Sequence, residues 1–204
     1  MRSLVHIMLA SILYYSCTSS NNRSNRRLEY VKQYLRTTVS QSDLKWQFTT
    51  DTIRVWFDDR NGKPNLNYKN RKLNKWAEWD VVMNSTTSYD SLWYDQESQT
   101  VQGHFYEYND FYKLIGRPPN KTLRTYWFSD QDKIKEILIY WIPEDNKTSD
   151  EFLPPIIEWT KKYYPVEINE LYTNQEIKPS TQNAIRWKTL LEKFHHFHDS
   201  IKGR

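Results

Sequence analysis

The chain has 204 residues, enough for one domain with additions. Its formal net charge of +4 is scattered and forms no basic patch of the kind nucleic acid demands. No CxxC, HExxH, GxGxxG or GxSxG occurs, so common metal, dinucleotide and serine-hydrolase chemistries have no motif to carry them.

The start, Met1-Arg2-Ser3 followed by the apolar run Leu4–Tyr15, reads as a secretory signal over residues 1–16. The run is too short to span a membrane comfortably. It ends in Tyr15-Ser16-Cys17, and Cys17 is the one cysteine of the chain. This ending resembles the lipidated cysteine of a bacterial lipoprotein, which implies an exported protein held at the membrane of the cell envelope. Plain cleavage nearby, giving a periplasmic or secreted protein, is the alternative. Residues 17–25 are polar and aperiodic and read as a tether.

Over 26–40, Leu28, Val31, Leu35 and Val39 recur on one helical face, with Ser24 or Asn25 placed to cap it. Trp46-Gln47-Phe48 reads as a short element, and Ile53–Phe57 as a strand ending at Asp58-Asp59. That acidic pair adjoins the turn-forming Arg60–Pro64, so a solvated hairpin end is a better reading than a metal site.

Residues 70–84 form the most informative predicted helix. Leu73, Trp76, Ala77, Val81 and Met83 define a broad apolar arc, with Trp79 at its edge. Asp80 and Asn84 fall inside that arc. A carboxylate there must be paired, protonated or facing a cavity. Asp80 is therefore a candidate acid or base. The competing role is an anchor for Arg124, a Trp N–H or a backbone group.

Tyr89–Tyr94 leads into a strand, and Thr100–Asn109 is the next. In the latter, Gln102, His104, Tyr106 and Tyr108 share one face, and Val101, Gly103, Phe105 and Glu107 the other. Both faces are mixed, so the inward one is not read from sequence. His104 and Tyr106 are candidate proton donors, and Glu107 a second candidate buried acid. Leu123–Phe128 and Ile134–Ile142 form a strand pair around the polar turn 129–133, with Arg124, Tyr126 and Phe128 on one face. The second strand is apolar on both faces. One packs on helices, and the other awaits a partner copy or the C-terminal segment.

Pro154-Pro155 opens a helix that runs to about Tyr163 and meets Pro165. Another starts at Ser180 or Thr181, with Ala184, Trp187, Leu190, Leu191 and Phe194 as its stripe. His195, His196 and His198 read as surface residues rather than metal ligands.

Gly116-Arg117-Pro118-Pro119 precedes the strand ending in Phe128, and Asp132-Lys133-Ile134 opens the last long strand. These resemble the GxP loop and the (D)GKI turn of the SnoaL-like branch of the nuclear transport factor 2-like (NTF2-like) superfamily, with the turn's usual glycine missing. The resemblance covers about 26–145. The pattern Ile157-Glu158-Trp159, Glu170-Leu171-Tyr172, Ala184–Trp187 and Leu190-Leu191 resembles the helical C-terminal extension, here 146–204, of a bacterial subset. The resemblance implies an α+β cone, a curved sheet folded around helices with a pocket inside. It also implies that the first helix lends a tyrosine, here Tyr34, to that pocket, unless Tyr34 is a core or rim residue.

The superfamily hosts enzymes and non-enzymes, so fold does not fix function. The expected ligand-facing set is Tyr34, Trp76, Asn84, Tyr106, Arg124 and Tyr126, with Asp80 and His104 as acid–base candidates. Three functions follow: a module binding a small apolar or aromatic ligand, an isomerase, cyclase or dehydratase, and an envelope scaffold that dimerises through its sheet. None calls for a cofactor or a metal.

Overall fold

The computed structural model describes residues 22–37, 42–69, 75–145 and 147–202. Cys17, the signal run, Val39 and Leu73 lie outside them.

A first helix, α1 (residues 22–36), begins four residues before the predicted start, inside the stretch read as tether. Ser24 and Asn25 are thus helical rather than capping. Val31 is buried in the core, and Leu28, Tyr34 and Leu35 pack against it. The short α2 (Ser42–Lys45) and a 3-10 turn, Trp46–Phe48, lead into strand β1 (Thr49–Phe57). A hairpin through the exposed Asp58–Asp59 returns as β2 (Leu66–Lys69), so the acidic pair is a solvated turn. Helix α3 (Lys75–Val82) follows, then β3 (Thr86–Asp95) and β4 (Thr100–Tyr108).

Helix α4 (Asp110–Ile115) is capped by the Asn109 side chain, which accepts from the Tyr112 N–H at 2.8 Å, and it ends at Gly116 in the left-handed region. The strand pair β5 (Asn120–Phe128) and β6 (Ile134–Trp141) comes next. Asp132 in their turn has φ 61°, so an aspartate takes the left-handed backbone where the resembling turn has glycine.

The six strands make one curved mixed sheet in the order β2-β1-β6-β5-β4-β3, antiparallel except for the parallel β1–β6 pair. Its inner face carries Ile53, Val55, Val101, Phe105, Tyr126 and Ile137, packed under α1. β3 bulges between Tyr89 and Ser91, opposite Phe105 and His104, and beside the bulge a Cβ added to Gly103 would sit 2.5 Å from the Ser91 carbonyl oxygen.

The C-terminal segment contributes α5 (Pro154–Tyr163), α6 (Pro165–Leu171), the ribbon β7 (Tyr172–Thr173) and β8 (Glu176–Ile177), and α7 (Thr181–Lys202). Pro165 does not merely end α5; it starts α6. The long helix packs on α3 and α4 and builds a second core around Trp79, Met83, Phe111, Leu171, Trp187 and Leu191. The extension is thus laid against the helices and not over the outer face of β6. On that face Glu136 is buried beneath Arg54 and Arg60, which ion-pair with it and stack on Trp56 and Trp127. No helix among the described residues is long and apolar enough to cross a membrane.

Candidate functional site

A cavity of about 870 Å³ lies between the inner sheet face and the helices α1, α2 and α3. Alternation along β1 and β6 turns Ile53, Val55, Ile137 and Ile139 into it as aliphatic wall. Aromatic rings join them, among them Tyr34, Trp46, Tyr68, Trp76, Tyr126 and Trp141. Trp76 remains 45% exposed.

Polar groups gather in the same cavity. Arg124 donates to Glu107 at 3.1 Å and to the Thr122 hydroxyl at 3.1 Å, with its guanidinium 5.1 Å from the Phe105 ring centre. Asp80 accepts a 2.8 Å hydrogen bond from the Ser85 hydroxyl. Burial, and then the charge of Glu107, push the Asp80 carboxyl up to about 7, against the pull of Ser85, Lys45 and Arg124. The Lys45 ammonium lies 4.4 Å from the centre of the Tyr34 ring. Burial, and then Arg124, push it down to about 8, while Asp80 opposes them. Burial pushes Tyr34 and Tyr112 up to about 12 and Tyr126 upward as well, so these hydroxyls remain proton donors at neutral pH. Near pH 7 Asp80 exists in both protonation states and can give or take a proton.

The loop before β5 braces the rim. Arg117 donates to Ser149 at 2.9 Å and also bonds Asn120, whose amide donates to the Tyr112 hydroxyl at 2.8 Å.

Tyr34, Trp76, Asp80, Arg124 and Tyr126 all reach the cavity. His104, Tyr106 and Asn84 do not. The inward face of β4 is the Val101, Gly103, Phe105 and Glu107 face, so His104 and Tyr106 point outward. There His104 shares a 2.9 Å hydrogen bond with Ser91, and Tyr106 donates to Asp90 at 3.0 Å. Helix α3 ends at Val82. Asn84 follows in the left-handed region (φ 51°), exposed and bonded to Asp110. Asp80 is anchored by Ser85, and Arg124 by Glu107, rather than by each other. Sequence reasoning missed Lys45. It sits in a four-residue helix too short to show a period, and no local signal marks it.

No family model matches the chain, and no curated protein matches it. Solved structures do resemble it. One is SalBIII, an epoxide hydrolase/cyclase-like enzyme of pyran ring formation in salinomycin. It is 14% identical over 59% of this chain and 94% of that one, with a TM-score of 0.43. Another is a cystatin-like fold protein of unknown function from Methylobium petroleophilum, 13% identical over 58% and 78%, TM-score 0.45. A third is RV0760c from Mycobacterium tuberculosis in complex with estradiol-17beta-hemisuccinate, 10% identical over 59% and 97%, TM-score 0.43. At that distance none of them bears on what this chain binds. By its curved six-stranded sheet, the helices beneath it and the cavity they enclose, the described chain folds as an α+β cone, the architecture that the sequence resemblance implies.

Proposed function

We propose that the cone is a binding module for one small molecule with an apolar or aromatic body. The cavity carries this reading. At about 870 Å³ it lies within the usual range for small-molecule sites, with aliphatic and aromatic walls and a few convergent polar groups. Export belongs to the same proposal. Arg2, the apolar run and Cys17 support a signal and a lipid tether, which would hold the module at the cell envelope.

Asp80 favours a second reading, an isomerase, cyclase or dehydratase in which this carboxyl moves a proton on the bound molecule. Its predicted partner is a tyrosine or His104; His104 lies outside the cavity, whereas Tyr34 and Tyr126 line it. Pairing of two copies through the outer sheet face rests only on exposed side chains such as Tyr140.

Native mass spectrometry of protein purified from its own host tests the main reading. One small molecule should travel with each chain, and the emptied protein should take up the fluorophore N-phenyl-1-naphthylamine one to one. Absence of both a co-purified molecule and probe uptake would refute it.

A further inference from the structure

We infer that the cavity is built for a monoanion, an apolar or aromatic body carrying one acid group that docks against Lys45. This rests on the binding reading above and adds the ligand's charge.

Among the described residues, four charged side chains line the cavity: Lys45, Asp80, Glu107 and Arg124. Arg124 and Glu107 are spent on one another at 3.1 Å. Asp80 is held by Ser85 and acts on Lys45 only through space. Lys45 is left over. Its ammonium has three donors, yet among the described residues it makes no hydrogen bond and no ion pair, only the contact with the Tyr34 ring. A desolvated cation facing a hollow with no acceptor is costly unless something arrives to accept from it. An apolar guest bearing one carboxylate or sulfonate would fill the wall and supply that acceptor.

The other titratable groups of the cavity sharpen the requirement. They are Tyr34 from α1, Tyr68 from β2, Asp80 from α3, Glu107 from β4, Tyr112 from α4, and Arg124 and Tyr126 from β5. Burial keeps Tyr34, Tyr112 and Tyr126 neutral at neutral pH. With Asp80 protonated, Lys45 and Arg124 outweigh Glu107 by one positive charge; with Asp80 ionised, the cavity is neutral. Anion affinity should therefore rise as pH falls through about 7, where Asp80 takes up a proton. It should fall above about 8, where Lys45 loses one.

Two fluorophores with a common ring system provide the test: the anion 8-anilinonaphthalene-1-sulfonate and the uncharged N-phenyl-1-naphthylamine. The wild-type chain should bind the anion about tenfold more tightly or better at pH 6.5, the worth of one good charge contact. Its affinity for the uncharged probe should stay flat from pH 6 to 9. Lys45→Met should erase the preference without weakening the uncharged probe, and Lys45→Arg should keep it. Equal binding of the two probes by the wild type, or Lys45→Met weakening both alike, would overturn the monoanion and leave the binding module standing. Uptake of neither probe would overturn both.

Discussion

Asp80 is the residue at which folding and function pull in different directions. Its carboxyl is raised from 3.8 to about 7 in the folded chain. Between about pH 4 and 7 the folded state thus holds a proton that the unfolded state has lost, so stability falls as pH rises through that window. Asp80→Asn should remove the slope. Its unfolding free energy should match the wild type near pH 4 and exceed it at pH 8, by on the order of a few kcal/mol at most because the cavity admits solvent. Ligand affinity should change while the fold persists. A variant that melts lower than wild type at pH 8 would show that Asp80 is a structural anchor. Lys45 behaves as the mirror case. Lowered from 10.5 to about 8, it holds fewer protons folded than unfolded between those values, so stability should rise with pH across them. Between pH 8 and 10.5 the wild type should gain stability relative to Lys45→Met in parallel thermal melts, a difference in which the raised tyrosines common to both cancel.

At the scale of elements, α1 is fastened to the sheet by one carboxylate. Asp132, 1% exposed, accepts from Arg23 at 2.9 Å and Arg27 at 2.8 Å and also pairs with Arg26. Burial pushes its carboxyl up, but the hydrogen bonds from the three guanidinium groups outweigh burial and hold it below the ordinary range. Arg27, only 4% exposed, also donates to the Gln99 carbonyl at 2.9 Å and lies 4.9 Å from the Phe128 ring centre. Asp132→Ala leaves that buried cation without its carboxylate and should cost roughly 3–5 kcal/mol in urea denaturation. Asp132→Gly, which suits the left-handed backbone better, should recover no more than about 1 kcal/mol of the loss. Full recovery by glycine would mean that the backbone, not the charge, dominates.

Asp132 also marks what could be read in advance. The loop at Gly116–Pro119 and the turn before Ile134 announced the last strand pair and the cone. The alternation along β5 put Arg124 and Tyr126 on one face, and in the structure that face turns to the cavity. β4 was not legible in this way. Val101, Phe105 and Glu107 against His104, Tyr106 and Tyr108 offer rings and polar groups on both faces, so its inward side waited on the neighbouring strands. α3 misled for a different reason. It serves two cores, the cavity on one flank and α7 on another, so its apolar residues spread around the axis. A single-stripe reading then put Trp79 at the edge, though it is buried, and Val81 in the arc, though it is exposed.

At the scale of the whole molecule, the C-terminal segment is a wall of the cone's support and not an appendage. Trp79 lies in the second core and also lines the cavity, and Ser149 and Ile177 from the segment reach the cavity too. Trp187, fully buried, packs edge-on against Phe111 at 5.6 Å between ring centres and against Tyr172 at 6.3 Å. Removing it should open a void beneath α3 and α4, so Trp187→Ala should cost roughly 3–5 kcal/mol of unfolding free energy. Because α3 carries Asp80 as well as Trp79, the damage should reach the ligand. Uptake of N-phenyl-1-naphthylamine should weaken in Trp187→Ala even in buffer where it is still folded, although Trp187 does not line the cavity. The discriminating measurement is a probe titration at a temperature well below the variant's melting transition. Unchanged affinity there, with the stability loss intact, would mean that the two cores are mechanically separate and that the extension supports folding without shaping the site.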